Sequence, residues 1–260
     1  MSELQKYSGV EADVWQPLKA FTDARIALGR TGVAVPLKEA LEFKMAHAHA
    51  RDAVYSELNE ATLIEDLKKF KLPIYSLRSK AQSRHEYLQR PDYGRQLNQA
   101  SKEQLQGDNP KTDIAIIIAD GLSATAINNH AVPLLDILIP FLQQSDFSIA
   151  PPEKSGLALS IVHQGRVAIA DEIGFLLNAR FSIILIGERP GLSSPDSMGA
   201  YLTFNPKIGL TDESRNCISN IRLEGLSYKN AAKKILYLVK ESFRLQYSGV
   251  DLKDNAGLLE

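Results

Sequence analysis

The amino-acid sequence predicts an α/β protein that begins with a helical region. After residue 108, short apolar runs rich in β-branched residues alternate with longer stretches of helical periodicity. This alternation is typical of a mainly parallel sheet that carries helices on both faces. Before that point the chain is mixed in character and then helical. We therefore predict a mainly helical N-terminal region over residues 1–108, followed by a Rossmann-like α/β domain over residues 109–260.

The N-terminal region is predicted to contain two helices and a polar connection. Pro36 suits the start of a helix because its φ is fixed, and an alanine-rich stretch of high helix propensity follows it. A second helical stretch covers residues 62–70. Residues 79–97 are polar and basic with interleaved tyrosines, which favours a solvated face or a subunit contact. Residues 99–112 are polar and contain glycine and proline, so we expect the boundary between the two regions there.

Four strands are predicted in the C-terminal region, each followed by a helix or a turn. The apolar runs that predict strands cover residues 114–118, 157–163, 181–186 and 200–204. A helical stretch starts near Ala124, and a helix over 131–144 follows with interruptions at Pro133 and Pro140. Further helices are predicted over 167–177 and 228–246. Ser227 is expected to cap the last of these, because serine side chains accept hydrogen bonds from first-turn N–H groups.

The composition excludes several classes of function. The chain has 30 basic and 31 acidic residues, a balance with no broad attraction for nucleic acid or an anionic membrane. Cys217 is its single cysteine, so a disulfide within the chain and a paired-cysteine zinc site are both excluded. The histidines lack metal-ligand spacing. The first residues do not resemble a signal peptide, and no apolar run approaches a membrane span. These features predict a soluble cytoplasmic protein.

Two polar segments stand out against this background. Residues 187–197, GERPGLSSPDS, follow a fully apolar strand, and ligands of open α/β sheets bind beyond the carboxyl ends of strands. The alternative for this segment is a solvated surface turn. Residues 214–221, SRNCISNI, concentrate hydrogen-bonding side chains around Cys217. We interpret both segments as loops and expect a large polar ligand at this edge of the sheet.

The candidate catalytic side chains each have a structural interpretation. Ser123 follows a strand at a strand-to-helix turn, where it could be a nucleophile or belong to a phosphate-binding helix start, but it is more typical of a helix cap. Cys217 has no histidine near it in sequence and is expected to be a small, inert core residue. Asp171 and Glu172 are consecutive on a helix and are expected to lie on a solvated face. Glycine fingerprints for dinucleotides and for nucleoside triphosphates are both missing, so no complete catalytic set is predicted.

Five segments give the chain a family resemblance. The segments are DARIALGRTG (23–32), YLQRPDYGR (87–95), DGLSA (120–124), GERPGL (187–192) and NCISNI (216–221). In these segments and in their order along the chain, the sequence resembles the small (light) subunit of ethanolamine ammonia-lyase. The resemblance covers about residues 20 to 250, nearly the whole chain. It implies a subunit that works with a large subunit built as a TIM barrel, in an assembly of several large/small pairs.

The resemblance also implies an activity and a cofactor. Enzymes of this family use adenosylcobalamin to convert ethanolamine to acetaldehyde and ammonia, through an adenosyl radical that abstracts hydrogen from the substrate. The catalytic groups belong to the large subunit, so none is expected in this chain. The cobalt is expected to keep its own dimethylbenzimidazole (the base-on form), because the chain has no Asp-x-His-x-x-Gly motif. The implied location is the cytoplasm, or a bacterial microcompartment as for some members.

Three residues of this chain are implied as cobalamin contacts. They are Val167, which follows Gly165-Arg166, Glu188 of the GERPGL segment and Cys217 of the NCISNI segment. A carboxylate such as Glu188 can accept hydrogen bonds from amides on the corrin rim or from a ribose hydroxyl. Val167 and Cys217 would supply apolar contact and backbone groups. The sequence leaves open whether Arg189 and Arg215 contact the cofactor or brace the loops around it.

Two other functions compete with that of a cofactor-holding lyase subunit. A free-standing α/β hydrolase that uses Ser123 or Asp120 would be active without a partner and would lose activity in Ser123→Ala. A non-enzymatic assembly subunit would keep the interface without binding cofactor, and its association would be insensitive to Glu188→Gln. A neighbouring gene for a TIM-barrel protein would favour the lyase subunit and the assembly subunit over the hydrolase.

Overall fold

A computed structural model describes residues 9–107, 112–145 and 156–254 and shows an α/β protein. The strands are β1 (Ile74–Arg78), β2 (Ile114–Ala119), β3 (Leu157–His163), β4 (Phe181–Gly187), β5 (Met198–Phe204) and β6 (Asn216–Ile221). Within the described residues they form one sheet of order β1-β3-β2-β4-β5-β6. The pairings among β1, β3, β2 and β4 are parallel, and β5 and β6 join antiparallel. The predicted α/β class with a mostly parallel sheet is confirmed.

Two strands of this sheet were not predicted. β1 alternates buried and exposed residues, and β6 carries mostly polar side chains, so neither reads as a continuous apolar run. Both lie at the edges of the sheet, where one side of the strand is free of a neighbour and burial is incomplete. The prediction of a loop over 214–221 was therefore wrong for most of that segment. The strand order also differs from the 3-2-1-4-5-6 order of dinucleotide-binding sheets, so the Rossmann-like description is not confirmed.

Seven α-helices lie in the described residues. They are α1 (Leu37–Tyr55), α2 (Glu60–Leu67), α3 (Arg84–Gln89), α4 (Gln99–Gly107), α5 (Ala124–Gln143), α6 (Ile169–Leu176) and α7 (Tyr228–Leu245). The Ser227 side chain accepts from the Asn230 N–H and caps α7 as predicted. Residues expected to form a polar boundary are instead helical in α4. The predicted division between two regions at residues 108/109 falls outside the described residues and stays a prediction. Strand β1, from the first of these regions, pairs with β3 from the second, so one sheet includes strands of both.

Helix α5 runs unbroken through Pro133 and Pro140, where the sequence predicted interruptions. A proline inside a helix costs about 3 kcal/mol, but burial of ten α5 residues in the core outweighs this cost. By length and composition α5 could cross a membrane, although no apolar run of that length was expected. A buried core helix meets the same criterion, and half of the apolar stretch is covered by the rest of the protein.

The two faces of the sheet carry separate cores. Ile114, Ile116 and Ile118 of β2 face α5 and α7, within the larger core. Alternate residues of the same strand, such as Ile117, face α6 on the opposite side. Helices therefore cover both faces, as predicted, because strand side chains alternate between them. The loops that leave β2 and β3 consequently turn toward opposite faces.

The N-terminal arm, which we define as residues 9–55, exposes many large apolar side chains. No residue of the 3₁₀-helix Gln16–Phe21 is buried, and only Ala53 is buried in α1. The exposed side chains include Val14, Trp15, Phe21, Val33, Leu37, Leu41, Phe43 and Met45. Monomeric proteins rarely leave apolar surface of this extent uncovered, and such patches mark sites of protein association.

Candidate functional site

A cavity of about 390 Å³ opens at the carboxyl edge of the parallel strands. Its walls come from Gly121 and Leu122 after β2, Arg166 and Val167 after β3, and residues 186–189 at the end of β4. β2 and β3 are neighbours whose following helices lie on opposite faces, so their loops diverge and leave a crevice between them. Ligands of open α/β sheets bind in such crevices. The segment GERPGL therefore lies where the sequence placed a ligand site.

Glycines allow the loops beneath the cavity to touch. Gly121 has a φ of +56°, and a Cβ atom there would overlap the carbonyl oxygen of Gly187 and lie 2.5 Å from Ile186 Cγ1. A Cβ atom at Gly187 would overlap the carbonyl oxygen of Ser123 and lie 2.5 Å from that of Asp120. The Leu122 N–H donates to the Gly187 carbonyl at 2.9 Å. The close approach of these backbones explains why both DGLSA and GERPGL contain glycine.

Glu188 is a fixed, half-buried carboxylate on the cavity wall. Its carboxylate accepts a very short hydrogen bond from Ser197 Oγ and a second one from the Asn220 N–H at 3.3 Å. Its backbone N–H donates to the Ser197 carbonyl at 2.9 Å. Glu188 thus joins the ends of β4, β5 and β6. A carboxylate accepts up to about four hydrogen bonds, so it keeps capacity for a ligand.

Cys217 is exposed on β6, which corrects the expectation of an inert core residue. Its Sγ atom lies 3.2 Å from Ser219 Oγ. On the adjacent strand it pairs in register with Tyr201, whose side chain lines the cavity. Burial raises the pKa of the Tyr201 phenol, and Cys217 adds to that rise. Val167 and Glu188 therefore share one cavity, and Cys217 adjoins it through Tyr201, a residue that sequence reasoning missed.

Tyr87, which sequence reasoning also missed, packs beneath the cavity together with Asp120 and Arg84. Tyr87 is fully buried, and its hydroxyl donates to the Gly165 carbonyl at 2.9 Å. The Asp120 carboxylate accepts from the Gly165 N–H at 3.2 Å and lies 3.6 Å from Arg84. Burial raises the pKa of the Asp120 carboxyl, against the lowering effect of these partners. The segment 79–97 was expected to be a solvated face or a subunit contact, but Tyr87 from it packs under the site.

Ser123 caps helix α5 and has no exposed surface. Its Oγ accepts from the Ala126 N–H at 3.3 Å and donates to the Pro195 carbonyl at 2.9 Å. The cap is therefore confirmed, and the hydroxyl is not available as a nucleophile. Buried His130 contacts the same loop, with its Nε2 atom 3.0 Å from Asp196 Oδ2. Ser123 and His130 thus hold the C-terminal end of the loop that follows Glu188.

Asp171 and Glu172 are buried, so their predicted position on a solvated helix face was wrong. Asp171 forms a very short ion pair with Arg215, and Glu172 accepts from the Leu97 N–H at 2.7 Å. The first turn of α6 is covered by neighbouring segments, which a helical pattern alone does not reveal. Burial raises the pKa of the Asp171 carboxyl to about 6, and Arg215 opposes this rise. Arg215 accordingly braces α6 against the segment before β6.

We expect Asp171→Asn to destabilise the chain more than Arg215→Met. In Asp171→Asn the guanidinium of Arg215, which is 2% exposed, stays charged and keeps only the exposed Asp212 as an ionic partner. Removing one member of a buried ion pair costs about 3–5 kcal/mol. In Arg215→Met the remaining carboxyl can become neutral by binding a proton, which makes the loss smaller. Urea unfolding of both variants measures the difference, and equal losses would contradict it.

The destabilisation by Arg215→Met should also depend on pH. Without Arg215 the pKa of the Asp171 carboxyl in the folded state is expected to rise above its present value of about 6. The folded variant then binds the proton of the Asp171 carboxyl more tightly than the unfolded chain does. The stability of the variant therefore falls further than that of wild type as pH rises. The loss relative to wild type should be smaller at about pH 5 than at about pH 8.

The described residues contain no group of three or more His, Cys, Asp or Glu side chains arranged to hold a metal ion. The fold and the site define an α/β protein with a cavity at the edge of its sheet and an N-terminal arm that exposes apolar side chains. This combination is typical of a ligand-binding subunit within a larger assembly.

Comparison with known proteins gives the family. The sequence model of "Ethanolamine ammonia-lyase light chain (EutC)" matches residues 12–253. The chain is 52% identical to the ethanolamine ammonia-lyase small subunit of Azotobacter vinelandii over 246 residues, which are 93% of this chain and 88% of the relative. The small subunit of Pseudomonas paraeruginosa is 51% identical with the same coverage, and that of Pseudomonas fluorescens is 50% identical over 93% of this chain and 86% of its own length. This chain belongs to the ethanolamine ammonia-lyase light-chain family.

Proposed function

We propose that this chain holds adenosylcobalamin against the large subunit of an ethanolamine ammonia-lyase, which converts ethanolamine to acetaldehyde and ammonia. The observation that carries the proposal is the shared cavity of Val167 and Glu188, beside Cys217 on the adjacent edge strand. These are the residues that the family resemblance implies as cobalamin contacts, and they are far apart in sequence.

The cavity fits part of such a cofactor. Cavities for drug-sized ligands measure about 300–1,000 Å³, and a corrinoid is larger than such a ligand. This chain would therefore cover only one side of it and leave the rest to a partner. The wall offers apolar surface at Val167 and Leu122 and a pre-positioned acceptor at Glu188. That combination suits the apolar face and the amide rim of a corrin.

The residues of this chain would bind and orient the cofactor. When bound, adenosylcobalamin supplies the adenosyl radical that starts the reaction. Glu188 would accept hydrogen bonds from rim amides or a ribose hydroxyl, with its own direction set by Ser197 and Asn220. No histidine lies among the described residues that line the cavity, so the chain presents no imidazole there to replace the cofactor's own base. The proposal therefore includes the base-on form.

The N-terminal arm supports the proposal of a large-subunit partner. Its apolar side chains are uncovered in the isolated chain, and Arg25 of the arm donates to the Leu192 carbonyl in the loop that follows Glu188. A TIM-barrel subunit bound to the arm would therefore also approach the cavity. We propose that the catalytic residues lie in that subunit, and that large/small pairs form a hetero-oligomer in the cytoplasm. Residence in a bacterial microcompartment stays a prediction.

The experiment is co-expression of this chain with a large subunit from the same gene neighbourhood. We expect acetaldehyde release from ethanolamine that requires adenosylcobalamin and both chains, with background rates when either chain is omitted. Separate expression followed by mixing controls for effects on folding. A complex that forms but releases no acetaldehyde would overturn the proposal and favour an assembly role, and activity of this chain alone would favour an independent enzyme.

A further inference from the structure

Arg166 places a guanidinium on the cavity wall without a carboxylate to balance it. None of the ion pairs among the described residues includes Arg166, and the only protein acceptor of its guanidinium there is the Tyr87 carbonyl, 3.4 Å from Nη2. Its Nε atom is buried without a hydrogen-bond partner. Other half-buried or buried arginines differ in this respect, because Arg84 lies near Asp120 and Arg215 pairs with Asp171.

The position of Arg166 is set before any ligand binds. Its guanidinium stacks on the ring of Tyr87 at 4.2 Å, and Arg84 occupies a second cation–π contact with that ring at 4.8 Å. The Arg166 N–H donates to the Gly94 carbonyl at 2.7 Å. A Cβ atom at Gly94 would lie 2.7 Å from Arg166 Cγ, so glycine is what permits the close packing. A charge that is held in this way loses little conformational entropy on binding.

The cavity as a whole has an excess of positive charge. Arg166 and Arg189 both line it, and Arg189 also lacks an ion pair among the described residues. The one carboxylate on the wall, Glu188, is already hydrogen-bonded to Ser197 and Asn220. Covering an unpaired cation with a ligand is costly unless the ligand brings a partner for it. The complementary ligand group is therefore an anion.

We infer that Arg166 binds the phosphodiester in the nucleotide tail of the corrinoid. The inference rests on the proposed function and adds a contact to it. A guanidinium matches the geometry of phosphate oxygens and donates two N–H groups to them. The phosphodiester is the anionic group of cobalamin, and it lies between the corrin and the nucleotide base. Arg166 would thus anchor the tail while Val167, the next residue, contacts the ring or the base.

The test compares two corrinoids on the purified large/small complex. Binding of hydroxocobalamin, which has the phosphodiester tail, and of dicyanocobinamide, which lacks it, is measured by equilibrium dialysis and absorbance. In Arg166→Gln we expect the affinity for hydroxocobalamin to fall about tenfold or more, and the affinity for dicyanocobinamide to stay unchanged. Arg166→Lys should restore part of the loss. Arg90→Gln is the matched control, because Arg90 also stacks on a tyrosine but pairs with Asp92.

The outcomes separate this inference from the function on which it rests. Equal losses for both corrinoids would show that Arg166 merely supports the cavity, and unchanged affinity for both would show that it does not touch the tail. Either result overturns the inference and leaves the proposed function standing. Failure of the wild-type complex to bind any corrinoid would overturn both.

Discussion

Replacement of Gly187 by alanine should destabilise the chain by about 3 kcal/mol or more. The added methyl group would overlap the Ser123 carbonyl oxygen and lie 2.5 Å from the Asp120 carbonyl oxygen. Both obstacles are backbone atoms, so no side chain can rotate away to make room. The end of β4 or the cap of α5 would have to shift, and both are buried. Urea or thermal unfolding of the full-length variant measures the loss.

Gly191→Ala is the matched control for Gly187→Ala. It lies in the same loop, and its added Cβ atom would meet the Ser194 hydroxyl at 2.7 Å, the movable end of a side chain. We expect a change within about 0.5–1 kcal/mol for this variant. If Gly187→Ala unfolded at the same urea concentration or temperature as the wild type, this would contradict the close approach of the β2 and β4 loops. The geometry of the cavity depends on that approach.

Glu188→Ala should lower the affinity of the large/small complex for adenosylcobalamin by about ten- to hundred-fold, the range expected for loss of hydrogen bonds to a charged group. The substitution removes the acceptor that faces the cavity and leaves the Ser197 hydroxyl and the Asn220 N–H without their partner. The end of β6 next to Cys217 would then lose its link to β4. Equilibrium dialysis with the co-expressed complex measures the affinity.

Two further variants sharpen the interpretation of Glu188→Ala. Glu188→Gln keeps the shape and an acceptor oxygen without the charge, so its affinity should lie between those of alanine and wild type. Glu224→Ala removes an exposed carboxylate that pairs with Arg222 outside the cavity wall and should leave the affinity unchanged. If Glu188→Ala binds as wild type does in a complex that assembles normally, Glu188 is not a cofactor contact.

Much of the fold followed from local patterns. The runs in β2, β3 and β4 are apolar over their whole length because these strands are buried on both faces, and all three were predicted within one residue of their ends. The caps Ser123 and Ser227 were also predicted, since capping depends on the few residues that follow in the chain. The edge strands β1 and β6 were not predicted, because half-exposed strands lack a continuous run of apolar residues.

The site divides differently between sequence and structure. Val167, Glu188 and Cys217 were implied by a family resemblance, which the family match supports without testing their roles. Tyr87, Arg166 and Tyr201 became visible as lining residues only through the fold, because they come from separate segments that meet at one cavity. Their residue types alone gave no signal, since tyrosines and arginines are common on protein surfaces.

By itself, the sequence determined the α/β class, the buried strands, the helix caps and the family, because each depends on periodicity or on neighbours along the chain. Only the tertiary structure decided which polar groups are buried. Asp171 is enclosed by Arg215, 44 residues away, whereas Cys217 lies open on an edge strand. Whether a side chain is buried depends on which other segments pack against it. The free energy of a charged group depends in turn on that burial and on the partners that it meets there. The tertiary structure also places Arg166 in the cavity with Val167 and Glu188, with no ion pair to it in the described part of the chain.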